Sequence, residues 1–214
     1  YADPRVRQAI SMAIDREAIS EAIFVGTRTP ADSFIAPVVE GYREGACEYC
    51  ALDVERANDL LDEAGFDRSQ PVDLWFNSGA GHDAWMEAVG NQLRENLGVQ
   101  FVLQGNLDSA EYLPLGESRG FTGPYRYGWS FDYPSADSYL TPLLVPASQP
   151  PAGSNYSFYE NPEVTELLRR HALAGVVALV AHLERGLELF ALGRIAAPTA
   201  NLRDGGNRPR QRQR

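Results

Sequence analysis

The chain has 214 residues, 44% of them hydrophobic, and a formal net charge of −10. That length permits one large domain or two small ones, with enough apolar content for a core. All 19 basic residues are Arg and they are unevenly placed: residues 1–168 hold 26 Asp and Glu against 10 Arg, residues 169–214 hold 9 Arg against 3 acids. An acidic body argues against a nucleic-acid groove, which needs a positive field to release phosphate counterions. It suits a protein meeting cationic or zwitterionic small molecules. No stretch approaches the roughly 18 consecutive apolar residues of a membrane helix.

The first predicted helix opens at Asp3, which caps it, with Pro4 at the first helical position. Val6, Ala9, Ile10, Ala13 and Ile14 recur at three- and four-residue spacing and mark a buried face. Asp15 caps a continuation carrying Ala18, Ile19, Ala22 and Ile23, which Gly26 ends. The string from Arg5 to Arg16 closely resembles the helix that opens the second lobe of the extracytoplasmic solute-binding proteins of peptide and nickel ABC importers. The resemblance implies an α/β fold, a periplasmic-binding-protein-like (type II) lobe with a mixed, mostly parallel sheet flanked by helices. It also implies that Tyr1-Ala2-Asp3-Pro4 is mid-protein sequence, with a first lobe and a lipid-anchor or secretion signal upstream.

A Gly- and Pro-rich loop follows from Thr27 to Ala51, where Pro30-Ala31, Ile35-Ala36-Pro37 and Gly41-Tyr42 follow the family's pattern. It contains both cysteines, Cys47 and Cys50. Such a pair can be a redox couple, half a zinc site or a local disulfide. Zinc needs two further ligands, and His82, His171 and His182 lack metal spacing. A thioredoxin-like pair belongs between the strand and helix of a βαβ unit, whereas this one precedes a helix start at Asp53. A local disulfide in an oxidising compartment is the expectation. A thiol-disulfide oxidoreductase is the alternative function.

Asp53 to Ala64 reads as an amphipathic helix stopped by Gly65, with the family's spacing of Asp, Ala, paired Leu and Ala-Gly. Val72 to Phe76 reads as a strand. Asn77 to His82 holds two glycines and no Lys, which excludes a nucleotide-phosphate loop. A helix from Asp83 to Leu97, ended by Gly98, and a strand from Val99 to Leu103 complete a parallel crossover. Asp108 to Leu113 is a short helix, and Gly123 to Trp129 is expected as a third strand.

That strand leads into Tyr127-Gly128-Trp129-Ser130-Phe131-Asp132-Tyr133, then Pro134 and a helix from Asp137 to Leu144. Open α/β sheets bind ligands beyond the carboxyl ends of their strands. A carboxylate among aromatic rings suits a cationic head group by charge pairing and cation–π contact, although Asp132 could equally cap the next helix. The motif looks like the hallmark of the same importer receptors, whose peptide-binding members use this acid to hold the peptide's free N-terminus. The resemblance implies Asp132 as the amine anchor, with Trp129, Tyr127 and Tyr133 lining side-chain pockets. Gly153 to Ser157 and Asn161-Pro162 again resemble the family. Asn155 is a hydrogen-bonding candidate there, with a turn role as its equal alternative.

After Leu168 the resemblance ends. Residues 169–214 are expected to be an Ala- and Arg-rich tail, out-of-frame and partly disordered. An Arg arm for nucleic acid lacks the aromatic partners that stack bases. No enzyme constellation is present: there is no Gly-x-Ser-x-Gly elbow, no His-Glu-x-x-His, and no Cys/His nucleophile with an orienting acid. The expected function is the substrate-binding component of an ABC importer. It would act without cofactor in a periplasmic or extracellular setting, taking a peptide or related solute to membrane permease subunits.

Overall fold

The computed structural model describes residues 1–172. Backbone contacts divide the chain into Tyr1–Arg169 and Arg170–Arg214. Of the second unit only residues 170–172 are described, so the expectations for the tail lie outside the described residues.

The first unit begins with α1 (Pro4–Met12) and α2 (Arg16–Phe24). The Asp3 carboxylate accepts from the Arg5 backbone N–H at 2.8 Å, and the Asp15 carboxylate accepts from Ala18 N at 2.9 Å. Arg5 also pairs with Asp3 at 2.6 Å and donates to the carbonyl of Glu63. That last bond ties α1 to the end of α3 (Val54–Glu63), whose cap is Asp53. Between the two helices Val6, Ala9, Ile10 and Ala13 meet Ala57, Leu60 and Leu61, all buried. Small residues at Ala9, Ala13 and Ala57 allow close helix approach, and the larger residues fill the remaining space at interior density.

β1 (Val72–Trp75) and β2 (Phe101–Gln104) form a parallel pair in the register Val72↔Phe101 to Trp75↔Gln104, joined through α4 (Asp83–Leu97). Val72, Leu74 and Phe76 face inward with Met86, Leu93, Leu97 and Val99. Gly90 of α4 lies against the Phe101 ring so closely that a Cβ there would sit 2.4 Å from its carbons.

The expected third strand is not formed. Residues 123–129 pair with β1 only at the bridge Trp75↔Tyr125, where Trp75 N donates to Pro124 O and Arg126 N donates to Trp75 O. Pro124 has no N–H to offer a ladder. On the other side of the bridge, the Arg126 carbonyl accepts from the hydroxyl of buried Tyr112 at 2.8 Å, so it is capped by a side chain where a longer ladder would have a backbone donor. Tyr112 lies in α5 (Ser109–Glu117), which ends four residues later than the sequence reading. Chain 127–136 is irregular and enters α6 (Asp137–Leu144).

The loop 27–51 is organised around Asp32. Its carboxylate accepts from Tyr42 Oη at 2.7 Å and from Gly45 N at 2.8 Å, and its carbonyl accepts from Cys47 N. Cys47 and Cys50 are joined by a disulfide across a single helical turn, with Cα atoms 5.3 Å apart. Arg16 donates to the carbonyls of Ser11, Ile14 and Cys50, fixing the disulfide turn to the α1–α2 corner.

Candidate functional site

Beyond the carboxyl end of β1 the chain opens a hollow of about 580 Å³, walled by Phe34, Tyr125, Tyr127, Trp129, Tyr139 and Tyr156. Its wall continues an aromatic row. Phe121 and Tyr125 stack at 4.8 Å, and Tyr127 meets Tyr156 at 4.9 Å between ring centres. The hollow is large enough for a side chain or a short peptide segment, within the size range of small-ligand pockets.

The sequence motif meets this hollow unevenly. Tyr127 and Trp129 line it, whereas Asp132 and Tyr133 are exposed and do not. The Trp129 indole N–H donates to the carbonyl of Ser138 at 2.8 Å, and the Asp132 backbone N–H donates to Ser138 Oγ at 2.8 Å. Ser138 itself is 2% exposed. Tyr133 Oη donates to Asp137 at 2.7 Å, and that bond raises the phenol's pKa above its ordinary value. Asp132 is therefore not a helix cap, because the chain between it and α6 is closed by Ser135 and Ser138.

Asn155 takes the turn role. It is fully buried, its amide donates to the carbonyls of Val145 and Tyr159, and its side-chain oxygen accepts from Tyr159 N and Ser157 Oγ. With its hydrogen-bonding capacity directed into its own loop, it is a loop organiser and does not line the hollow.

A second cluster at the same edge of the sheet was not legible from motif reading. Arg126, half-buried, donates to Asn77 Oδ1 at 3.3 Å, and Asn77 is buried just past β1. His82, at the start of α4, accepts from the Trp85 indole through Nδ1 at 3.1 Å, leaving buried Nε2 without a partner among the described residues. Burial, reinforced by Arg126 and Arg28 and opposed by Asp83, holds the His82 pKa below its ordinary value. A neutral imidazole with Nδ1 accepting carries its proton on Nε2. The cluster thus sets a cation and a buried N–H near the end of β1, and neither residue lines the hollow. The signal for it was a charge, Arg126, inside an otherwise aromatic run.

A family model described as "Bacterial extracellular solute-binding proteins, family 5 Middle" matches residues 1–150. The glutathione-binding protein GsiB of Pectobacterium atrosepticum is 30% identical over 174 residues, covering 77% of this chain and 32% of that protein. Its Escherichia coli counterpart is 26% identical, covering 78% and 33%. Among solved structures, the murein tripeptide binding protein MppA of Escherichia coli superposes with a TM-score of 0.68 at 28% identity, over 79% of this chain and 33% of that one. The chain spans about a third of the length of the relatives it matches. With the family model covering most of the described residues and the α/β architecture shared, the chain belongs to the bacterial extracellular solute-binding proteins of family 5.

Proposed function

We propose that this chain supplies one wall of the ligand cleft in the receptor of an ABC importer, taking up peptides or peptide-like zwitterions. The observation that carries the reading is the aromatic hollow lined by Tyr127 and Trp129, with the carboxylate of Asp132 three residues on and Arg126 one residue before. Aromatic walls accept varied side chains through area and ring contacts, without demanding one chemistry. A carboxylate suits an α-amine and an Arg–His pair suits a carboxylate, which together describe the two ends of a peptide. The relatives' names, glutathione-binding and murein tripeptide binding, agree with that class.

In this reading the receptor acts by hinge closure, burying ligand between two lobes without bond chemistry, then presenting it to membrane permease subunits. It works outside the cytoplasm, in the periplasm or at the cell surface, held near the permease by a lipid anchor. Closure removes water from Asp132, which is exposed here, and strengthens its pairing with the amine.

The test uses the complete receptor. Asp132→Asn should weaken a free-amine tripeptide by at least about tenfold while leaving the N-acetylated peptide unchanged, read by calorimetry. Equal affinity of wild type and variant for the free-amine peptide would remove Asp132 from the site.

A further inference from the structure

The loop that presents Trp129 and Asp132 is fastened to α6 at one residue, Ser138. Its backbone carbonyl accepts the Trp129 indole N–H, and its hydroxyl accepts the Asp132 backbone N–H, both at 2.8 Å. Ser138 lies in the first turn of the helix and is 2% exposed, so the acceptor side of both bonds is buried. In an α-helix the carbonyl of residue 138 would pair with the N–H of residue 142. Residue 142 is Pro, inside the same helix. Proline has no N–H, and its ring presses against the carbonyl four residues earlier, tilting it off the helix axis. A buried carbonyl deprived of its partner needs another donor. Here that donor is the indole of Trp129.

We infer that Ser138 and Pro142 act together as a clasp that positions the ligand wall. Pro142 releases the Ser138 carbonyl for Trp129, and the Ser138 hydroxyl sets the backbone from which the Asp132 carboxylate projects. Neither residue lines the hollow, so both act through others. The two halves of the clasp serve different parts of a ligand. The Trp129 half shapes an uncharged wall, and the Asp132 half aims a charge. The inference rests on the peptide-receptor reading for its ligand consequences, but the clasp itself stands on geometry.

Two variants separate the halves. Ser138→Ala keeps the backbone carbonyl and deletes the hydroxyl. Pro142→Ala restores a helical N–H, turns the carbonyl back along the axis and leaves the hydroxyl in place. Hydrogen exchange followed by NMR on this chain should show the Asp132 amide exchanging about tenfold faster in Ser138→Ala, with the Trp129 indole unmoved. Pro142→Ala should show the reverse. In the complete receptor, probed with tri-alanine and N-acetyl-tri-alanine, Ser138→Ala should lose most of the preference for the free amine. Pro142→Ala should weaken both peptides by the same factor. Unchanged exchange in both variants overturns the clasp whatever the ligand. Loss of amine preference in Asp132→Asn but not in Ser138→Ala overturns its role in recognition. Retention of that preference in Asp132→Asn would instead sink the peptide-anchor reading, and the exchange arm then decides the clasp alone. Should Ser138→Ala fail to fold, Pro142→Ala carries both readouts for the carbonyl half.

Discussion

Asn155 and Tyr112 show how a polar side chain can hold the chain around a hollow that it does not line. Asn155 replaces backbone partners for the turn from Val145 to Tyr159. Asn155→Ala should therefore lower stability by about 2–3 kcal/mol, the cost of leaving buried carbonyls and an amide unpaired. Chemical denaturation of the chain measures this. Tyr112→Phe tests the bridge beside β1. It removes one hydroxyl that reaches both the Trp75 and Arg126 carbonyls, and should cost about 1 kcal/mol. Desolvation also raises the Tyr112 pKa, so the phenol stays protonated as a donor at any physiological pH. Neither role was legible in sequence. Asn155 next to Gly153 and Ser154 is compatible with turn or ligand chemistry alike, and nothing local tells them apart until burial is known.

At the scale of elements, the sequence was most legible where one residue type does one mechanical job. Asp3, Asp15, Asp53 and Asp108 each begin a helix by accepting a backbone N–H in its first turn, and each was read as a helix start. The α4 crossover and α6 fell where periodicity put them. The expected strand over 123–129 failed because apolar and aromatic content signals burial, whereas a ladder requires donors, and Pro124 removes one. The loop 27–51 was read as a family-like connection holding a local disulfide, with no organising residue assigned. Its hub, Asp32, receives bonds from residues 10 and 13 positions away, a separation no local pattern reports. The hub makes a pH prediction. The hydrogen bond to Asp32 raises the Tyr42 pKa from its ordinary 10.0 to about 12. A folded pKa above the unfolded one gives stability that is complete below pH 10 and is lost as pH rises toward 12. Thermal melts across that window should fall less steeply for Tyr42→Phe than for the wild type.

For the whole molecule, family and fold were legible because the Arg5–Arg16 helix and the Tyr127–Tyr133 segment are long, specific strings. The proposed site was only partly legible, since its candidate polar groups come from separate elements: Asp132 from the irregular segment before α6, His82 from the start of α4, and Arg126 from the bridge. Only folding gathers them. The chain matches a third of its relatives' length, and in the proposed reading it presents a single wall. It should bind tri-alanine at least about tenfold more weakly than the complete receptor, because an open wall leaves the charge pairs hydrated and screened. Equal affinity in the two would show that one wall suffices.

The notch at Gly90 gives this wall an unexpected lever. The Phe101 ring occupies the space a side chain would fill, so α4 packs on the sheet through a bare backbone at Gly90. A single methyl placed there, as in Gly90→Ala, would have to displace the ring or lift the helix, although Ala is the better helix former. His82 rides at the near end of that helix. If the proposed reading holds, adaptation to a new solute can proceed through this hidden seam, shifting His82 with no substitution at any residue lining the hollow.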